Sequence, residues 1–221
     1  MRLHGYFRSS AAHRCRIAFN LKGIAPARAQ VHLRDGGQHA PEYLALNPQG
    51  LIPALELDAA EAGGDGAALL TQSLAIIEWL EETRPAPPLL PRDPVARARV
   101  RAFALSIACD IHPLQNLRVQ HYLRARLGQD QSGLDLWLGH WLGTGLAACE
   151  AVLAGLDHGG DFAFGDAPGL ADVCLVPQIH SAQRFGVDLG AMPRLRAVFD
   201  ACEALEPFAA ARPERQPDAG P

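Results

Sequence analysis

The stretch "RSSAAHR", Arg8 to Arg14, places two hydroxyls between cationic side chains, where an extended segment gives way to helical spacing. A helix start carries unpaired N–H donors and a partial positive charge, so it favours an anion. A thiolate is such an anion, and a serine hydroxyl can donate one more hydrogen bond to it. Free thiols of the cysteine type ionise near about 8.5, and each unit of lowering corresponds to about 1.4 kcal/mol. One hydroxyl plus a helix end supplies on the order of one to two such units. The other reading of Ser9 and Ser10 is a plain helix cap. With alanine at position 11, the turn has no thiol of its own.

Three further groups of residues have types and spacing suited to chemistry. In "NPQGLIPAL", Ile52-Pro53 leads into a strand, where proline has no donor for the ladder. A cis bond there would offer the Ile52 backbone N–H and C=O to an extended peptide alongside. In "LLTQSLAIIEWL", Gln72 and Ser73 precede a helix, a second N-terminus able to hold a carboxylate, with Ser73 as its cap. In "CDIHPLQNLRVQHYLR", Pro113 interrupts helical spacing and lets His112, Gln115, Asn116 and Arg118 face a cleft. Asp110 and His112 lack a third ligand at fitting spacing, so no metal site is expected. Neither a phosphate-binding glycine loop nor a G-x-S-x-G motif occurs.

The elements that must position these residues fall into two groups. "RLHGYF" reads as a strand, "AHRCRIAFNLK" as a helix ended by Gly23, and "RAQVHL" as a second strand. A helical link implies that the two strands are parallel. "LIPALEL" and "AALL" read as an antiparallel hairpin around the flexible "DAAEAGGDG", followed by the helix "SLAIIEWLEE". This βαβ…ββα order predicts a thioredoxin-like domain over 1–83. The proline-rich "RPAPPLLPRDP" reads as a stiff linker over 84–94. Beyond it, helical spacing predominates in "VARARVRAFALSIACDI", "LDLWLGHWLGTGLAACEAVLAGL", "LADVCLVPQIHSAQRF" and "MPRLRAVFDACEAL". An all-helical domain is therefore expected over 95–211, with a flexible tail over 212–221.

Composition narrows the function classes. The 221 residues are 48% hydrophobic and 20% charged, as in globular proteins, and can bury a real core. A formal charge of −4 gives no electrostatic case for nucleic acid or an anionic membrane. Five cysteines without a C-x-x-C fit reduced thiols in the cytoplasm. Neither a secretory signal nor a membrane-spanning stretch is read.

Taken together, "YFRSSAAHRCRIAFNLKGI", "ALNPQGLIPAL", "TQSLAIIEWLEE", "IHPLQNLRV" and "RFGVDL" resemble the zeta class of the glutathione transferases. The resemblance runs from Met1 to about Phe208 and rests on the order and spacing of these pieces. It implies an α/β thioredoxin-like domain followed by an all-helical domain, with glutathione as cofactor and a homodimer as assembly. By the same resemblance, Ser9 faces the glutathione sulfur with Ser10 beside it, and Ile52 before a cis Pro53 contacts the tripeptide backbone. Gln72 and Ser73 hold the γ-glutamyl carboxylate. His112, Asn116 and Arg118 lie in the segment that completes the pocket. Four departures stand out: Ala11 for a usual cysteine, His13 for tryptophan, His39 where glutamine often contacts glutathione, and Gly169 for the Ser or Thr that caps the helix at Asp172. Asp172 is read as structural.

The activity implied is glutathione-dependent cis–trans isomerisation of a maleyl keto-diacid, maleylpyruvate or maleylacetoacetate, in aromatic compound catabolism. A borrowed thiolate would add to the cis double bond, permit rotation and leave again. A dicarboxylate substrate needs cationic partners. Arg8, beside the Ser-Ser turn, joins Ser9 and Ser10 as a catalytic candidate, and Arg8, His112, Arg118 and Arg184 are its candidate binding residues. Two alternatives remain open on sequence: a general transferase acting on electrophiles, and a transferase-like interaction module without catalysis.

Overall fold

The computed structural model describes residues 1–64, 66–156 and 159–219. These form two units, one of Met1–Pro88 with the chain from Leu205 onward, the other of Leu89–Ala204.

In the first unit, strands β1 (Arg2–Gly5), β2 (Ala27–Gln30), β3 (Ala54–Leu57) and β4 (Ala68–Thr71) form a sheet of order β2-β1-β3-β4. β1 runs parallel to β2, with Leu3 opposite Arg28, and antiparallel to β3, with Leu3 opposite Leu55. β3 and β4 pair antiparallel. Between β1 and β2 runs α1 (Ser10–Leu21), buried without a break from Ala12 to Phe19. Gly23, at φ +67°, takes the left-handed turn after it that a side chain would resist. At its C-terminal end the Lys22 ammonium is buried and donates to Glu81 of α4 (Ser73–Thr83) and to the Pro87 carbonyl, each at 2.6 Å. Removing one member of such a buried pair costs several kcal/mol, so this contact fixes α1 against α4.

Several segments differ from the sequence expectation. α2 (Pro41–Leu46) occupies a stretch that showed no helical pattern. The link read as flexible contains a short helix, α3 (Ala59–Ala62), whose start is held by the Asp58 carboxylate accepting the Glu61 N–H at 3.0 Å. Asp65 in that link lies outside the described residues. The C-terminal residues, expected partly in the helical domain and partly as a flexible tail, pack within the first unit instead. There α10 (Glu206–Ala209) contacts α1, and two 3-10 turns follow at Pro213–Arg215 and Pro217–Ala219. Gln216 is buried and bonds the carbonyls of Ala210 and Arg212, contacts that polar composition alone does not reveal. Gly220 and Pro221 lie outside the described residues.

The second unit holds α5 (Pro94–Leu105), α6 (Leu117–Leu127), α7 (Gln131–Ala154), α8 (Leu170–Arg184) and α9 (Pro193–Glu203). The single helix expected to end at Ile111 is instead α5 followed by a π-helical turn, Ser106–Ile111, and a 3-10 turn, His112–Gln115. Pro113 has no N–H to continue an α-helix, which accounts for the change. α7 buries Leu134, Leu138, Leu142, Leu146, Cys149 and Leu153 along one face. α8 is buried from Leu170 to Ile179.

The start of α8 depends on Asp172. Its carboxylate accepts the N–H groups of Gly169 and Ala163, both at 2.8 Å. Burial lifts this carboxyl to about 6, while those hydrogen bonds hold it down. A Cβ on residue 169 would lie 2.8 Å from the Leu89 carbonyl oxygen, so glycine replaces a hydroxyl cap because the backbone passes too closely. Asp172→Ala leaves two N–H groups without their acceptor. It is expected to lower stability by about 2–4 kcal/mol, measured by urea unfolding.

Candidate functional site

Ser9 stands just before α1 in extended conformation, and its Oγ accepts the Ala12 N–H at 3.2 Å. It is thus the helix cap. A hydroxyl has two lone pairs and one proton, so capping by acceptance leaves the O–H able to donate to an anion. The capping reading of Ser9 is thus observed, and it does not use up the hydroxyl proton. Ser10 is the first helical residue and is buried, whereas Ser9 is half-buried. Arg8 is exposed, its guanidinium 5.1 Å from the centre of the Phe7 ring.

The Ile52–Pro53 bond is cis, as the family resemblance implied, and so is Ala86–Pro87, which the sequence reading did not mark. Tyr43 Oη and Asn47 Nδ2 both donate to the Leu51 carbonyl at 2.7 Å and fix the chain just before it. Neither residue was singled out in the sequence, because both act on a backbone group whose position only the fold defines. His39 ends a 3-10 turn, Gly37–His39, and is exposed. A Cβ on Gly50, which has φ +58°, would sit 3.2 Å from His39 Nδ1, so the turn and the approach to Ile52 lie side by side.

At the start of α4 the structure corrects the sequence reading. Ser73 is not the cap but the first helical residue; the cap position belongs to Gln72, which makes no side-chain cap hydrogen bond. Gln72 has φ +67°, uncommon for a residue with a side chain and a form of strain found at ligand sites. Its Nε2 donates to Gln49 Oε1 at 3.1 Å. Ser73 Oγ accepts from Arg14 Nη1 at 3.4 Å, while Arg14 itself is 1% exposed. Arg14 Nε and Nη2 have no hydrogen-bond partner among the described residues. A buried cation therefore lies behind the start of α4, where N–H groups already favour an anion. Sequence reasoning missed Arg14, since an arginine in a helix normally reads as surface.

In the second unit, His112, Asn116 and Arg118 share one segment. Asn116 caps α6, its Oδ1 accepting the Arg118 N–H at 3.0 Å, and Arg118 is exposed. Half-buried His112 contacts Gln115 through Nδ1 at 3.4 Å. Gln115 does not face a cleft. It is buried and paired with Gln178, whose Nε2 donates to it at 3.0 Å. Arg184 ends α8, exposed, with its guanidinium 4.7 Å from the centre of the Phe185 ring.

The N-terminal domain model of glutathione S-transferase matches residues 8–83, and its C-terminal domain model matches 121–202. A maleylacetoacetate isomerase of Pseudomonas aeruginosa is 50% identical over 220 residues, covering 99% of this chain and 98% of that protein. Among solved structures, a holo maleylpyruvate isomerase described as a bacterial zeta-class transferase superposes with TM-score 0.93 at 46% identity, covering all of both chains. The maleylacetoacetate isomerase of Methylobacterium extorquens AM1, solved with malonate and glutathione, gives TM-score 0.93 at 43% identity, again over all of both chains. The chain belongs to the glutathione S-transferase family, and within it to the zeta class.

The Arg14 geometry generates a stability test. A buried cation with two unbonded nitrogens is a liability unless a ligand uses it. Arg14→Met is expected to leave stability unchanged or to raise it by about 1–4 kcal/mol, measured by thermal unfolding.

Proposed function

We propose that this chain is a glutathione-dependent cis–trans isomerase that converts a maleyl keto-diacid, maleylpyruvate or maleylacetoacetate, to its fumaryl isomer in aromatic compound catabolism. The observation that carries this reading is the end-to-end match, at 50% identity, to a protein named for that activity. A structural relative solved with bound malonate and glutathione supports binding of a thiol tripeptide and of a dicarboxylate.

The residues present fit glutathione. The uncapped start of α4 and the buried Arg14 behind Ser73 suit a carboxylate, and we assign the γ-glutamyl end of the tripeptide to Gln72 and Ser73. The backbone of Ile52, with Pro53 behind it and His39 nearby, is assigned to the peptide portion. When bound, glutathione supplies the sulfur nucleophile that makes rotation about the double bond possible. Ser9 donates its hydroxyl proton toward that sulfur at the positive end of α1, with Ser10 beside it, and so favours the ionised thiol. Arg8 in the first unit offers a fork of donors to a substrate carboxylate and to charge developing during the reaction. In the second unit His112, Asn116, Arg118 and Arg184 are assigned to anchoring the tripeptide and the diacid.

The enzyme is further proposed to be cytoplasmic, in keeping with its five free cysteines, four of them buried. No helix among the described residues is long and apolar enough to cross a membrane. A homodimer is proposed from membership of the class. Sedimentation at micromolar concentration is expected to give twice the 23.7 kDa of one chain, and a species of single-chain mass would refute the dimer.

An ultraviolet assay of both maleyl substrates, with and without glutathione, tests the activity. Isomerisation only with glutathione is expected; conjugation of chlorodinitrobenzene much faster than isomerisation would favour a general transferase. Ser9→Ala is expected to shift the acidic limb of the pH–rate profile up by about one unit with binding retained. Arg14→Met is expected to weaken glutathione affinity about tenfold or more, despite its undiminished stability.

A further inference from the structure

The turn that carries Arg8 and Ser9 is held by the opposite end of the chain. Ser9 N–H bonds the Tyr6 carbonyl at 3.0 Å and closes the turn. Phe7 N–H, at its corner, donates to Asp218 Oδ2 at 2.8 Å. The Phe7 carbonyl accepts from Arg16 Nη2 at 3.0 Å, and the Tyr6 carbonyl from Arg16 Nη1 at 3.5 Å. Arg16 Nε donates to the Ala211 carbonyl at 3.1 Å. Both backbone polar groups of Phe7 are thus taken by charged side chains, one of them supplied from 211 residues away.

The supporting segment is itself anchored. Gln216, 5% exposed, bonds two carbonyls behind it, and its Oε1 accepts from Arg28 Nη1 at 2.6 Å. A cavity of about 210 Å³ adjoins these groups, lined by Tyr6, Phe7, Arg16, Arg28, Gln216 and Asp218 among others. Burial, with Arg28 nearby, draws the Arg16 guanidinium down to about 10, and Asp218 opposes that fall. Arg16 therefore stays a cation at neutral pH, and Asp218 is the anion beside it.

We propose that Gln216–Asp218 is a latch, in which the Asp218 carboxylate works with Arg16 to set the Phe7–Ser9 turn and hence the Ser9 hydroxyl. Asp218 is a positioning residue: its contact is to the turn, not to the reacting atoms. The proposal rests on the function assigned to Ser9 and Arg8 above. Its physical basis is that a misplacement of about 1 Å in a reacting group can cost about a hundredfold in rate.

The test uses the full chain with Asp218→Ala and Asp218→Asn, the latter keeping an acceptor oxygen at the same reach. Amide hydrogen exchange reads the latch without any reaction. In Asp218→Ala the Phe7–Ser10 amides are expected to exchange about ten- to a hundredfold faster, with β3, β4 and α8 unchanged. Asp218→Asn should restore most of that protection. In the isomerase assay, Asp218→Ala should lower kcat and move the acidic limb of the pH–rate profile upward, with the KM for glutathione within about threefold of the parent, and Asp218→Asn should recover kcat. Unchanged exchange at Phe7–Ser10 in Asp218→Ala, a pH–rate profile like the parent's, or an asparagine variant as impaired as the alanine one would each overturn the latch. If the parent protein isomerises neither substrate, the functional assignment fails while the exchange measurement still decides the latch.

Discussion

Two arginines buried in one helix organise the first unit. α1 is covered on all sides from Ala12 to Phe19, yet it carries Arg14 and Arg16 within that stretch. A buried guanidinium must find hydrogen-bond acceptors or it costs several kcal/mol. Arg16 finds three carbonyls, those of Tyr6, Phe7 and Ala211, and in doing so joins the helix to the turn before it and to the chain's last segment. Arg14 reaches a single acceptor, Ser73 Oγ, and keeps two nitrogens without a partner among the described residues. One arginine is therefore satisfied by the fold, and the other keeps hydrogen-bonding capacity that the described residues do not use.

Helix starts show the same division between structural and reserved groups. Ser9 caps α1, Asn116 caps α6, and the Asp172 carboxylate takes the Gly169 N–H where α8 begins. α4 begins differently. Gln72 stands in its cap position at φ +67°, its amide bonded to Gln49 rather than to the helix. That end has no side-chain cap, and the buried Arg14 guanidinium stands behind its first residue. Ser9 is a structural cap whose hydroxyl can still donate its own proton while it accepts a helix N–H.

Of the five thiols Cys109 is exposed, and Cys15 lies against the start of α4, its Sγ donating to the Ser73 carbonyl at 3.8 Å. Cys15, Cys149, Cys174 and Cys202 are buried, and burial pushes Cys149 up to about 11 and Cys202 upward as well. A thiol so shifted is neutral near pH 7 and a poor nucleophile. After the Ser9-Ser10 pair at the start of α1, the chain has Ala11 rather than a cysteine. A nucleophile borrowed from a cofactor fits this distribution.

What the sequence determined by itself is mostly local. Turn and cap chemistry placed α1 behind Ser9 and ended it at Gly23. The helical link gave the parallel β1–β2 pair and the hairpin pattern the antiparallel β3–β4 pair, while the cis state of Ile52-Pro53 came from the family resemblance and not from the dipeptide itself. The quoted motifs, in order, identified the class and with it the activity. Errors arose where a residue's partner is distant in the chain. Gln115 looked like a cleft residue until Gln178, 63 positions on, drew it into the core. Ser73 looked like a cap because nothing nearby shows that Arg14 claims its hydroxyl. The last residues looked flexible because their composition is polar and proline-rich, yet Gln216 and Asp218 bond groups in the first thirty residues. Propensity and spacing report only on a residue's own turn or strand. Burial of a charge, by contrast, is decided by acceptors that the chain brings together only when it folds, and so the supports of this site belong to the tertiary structure.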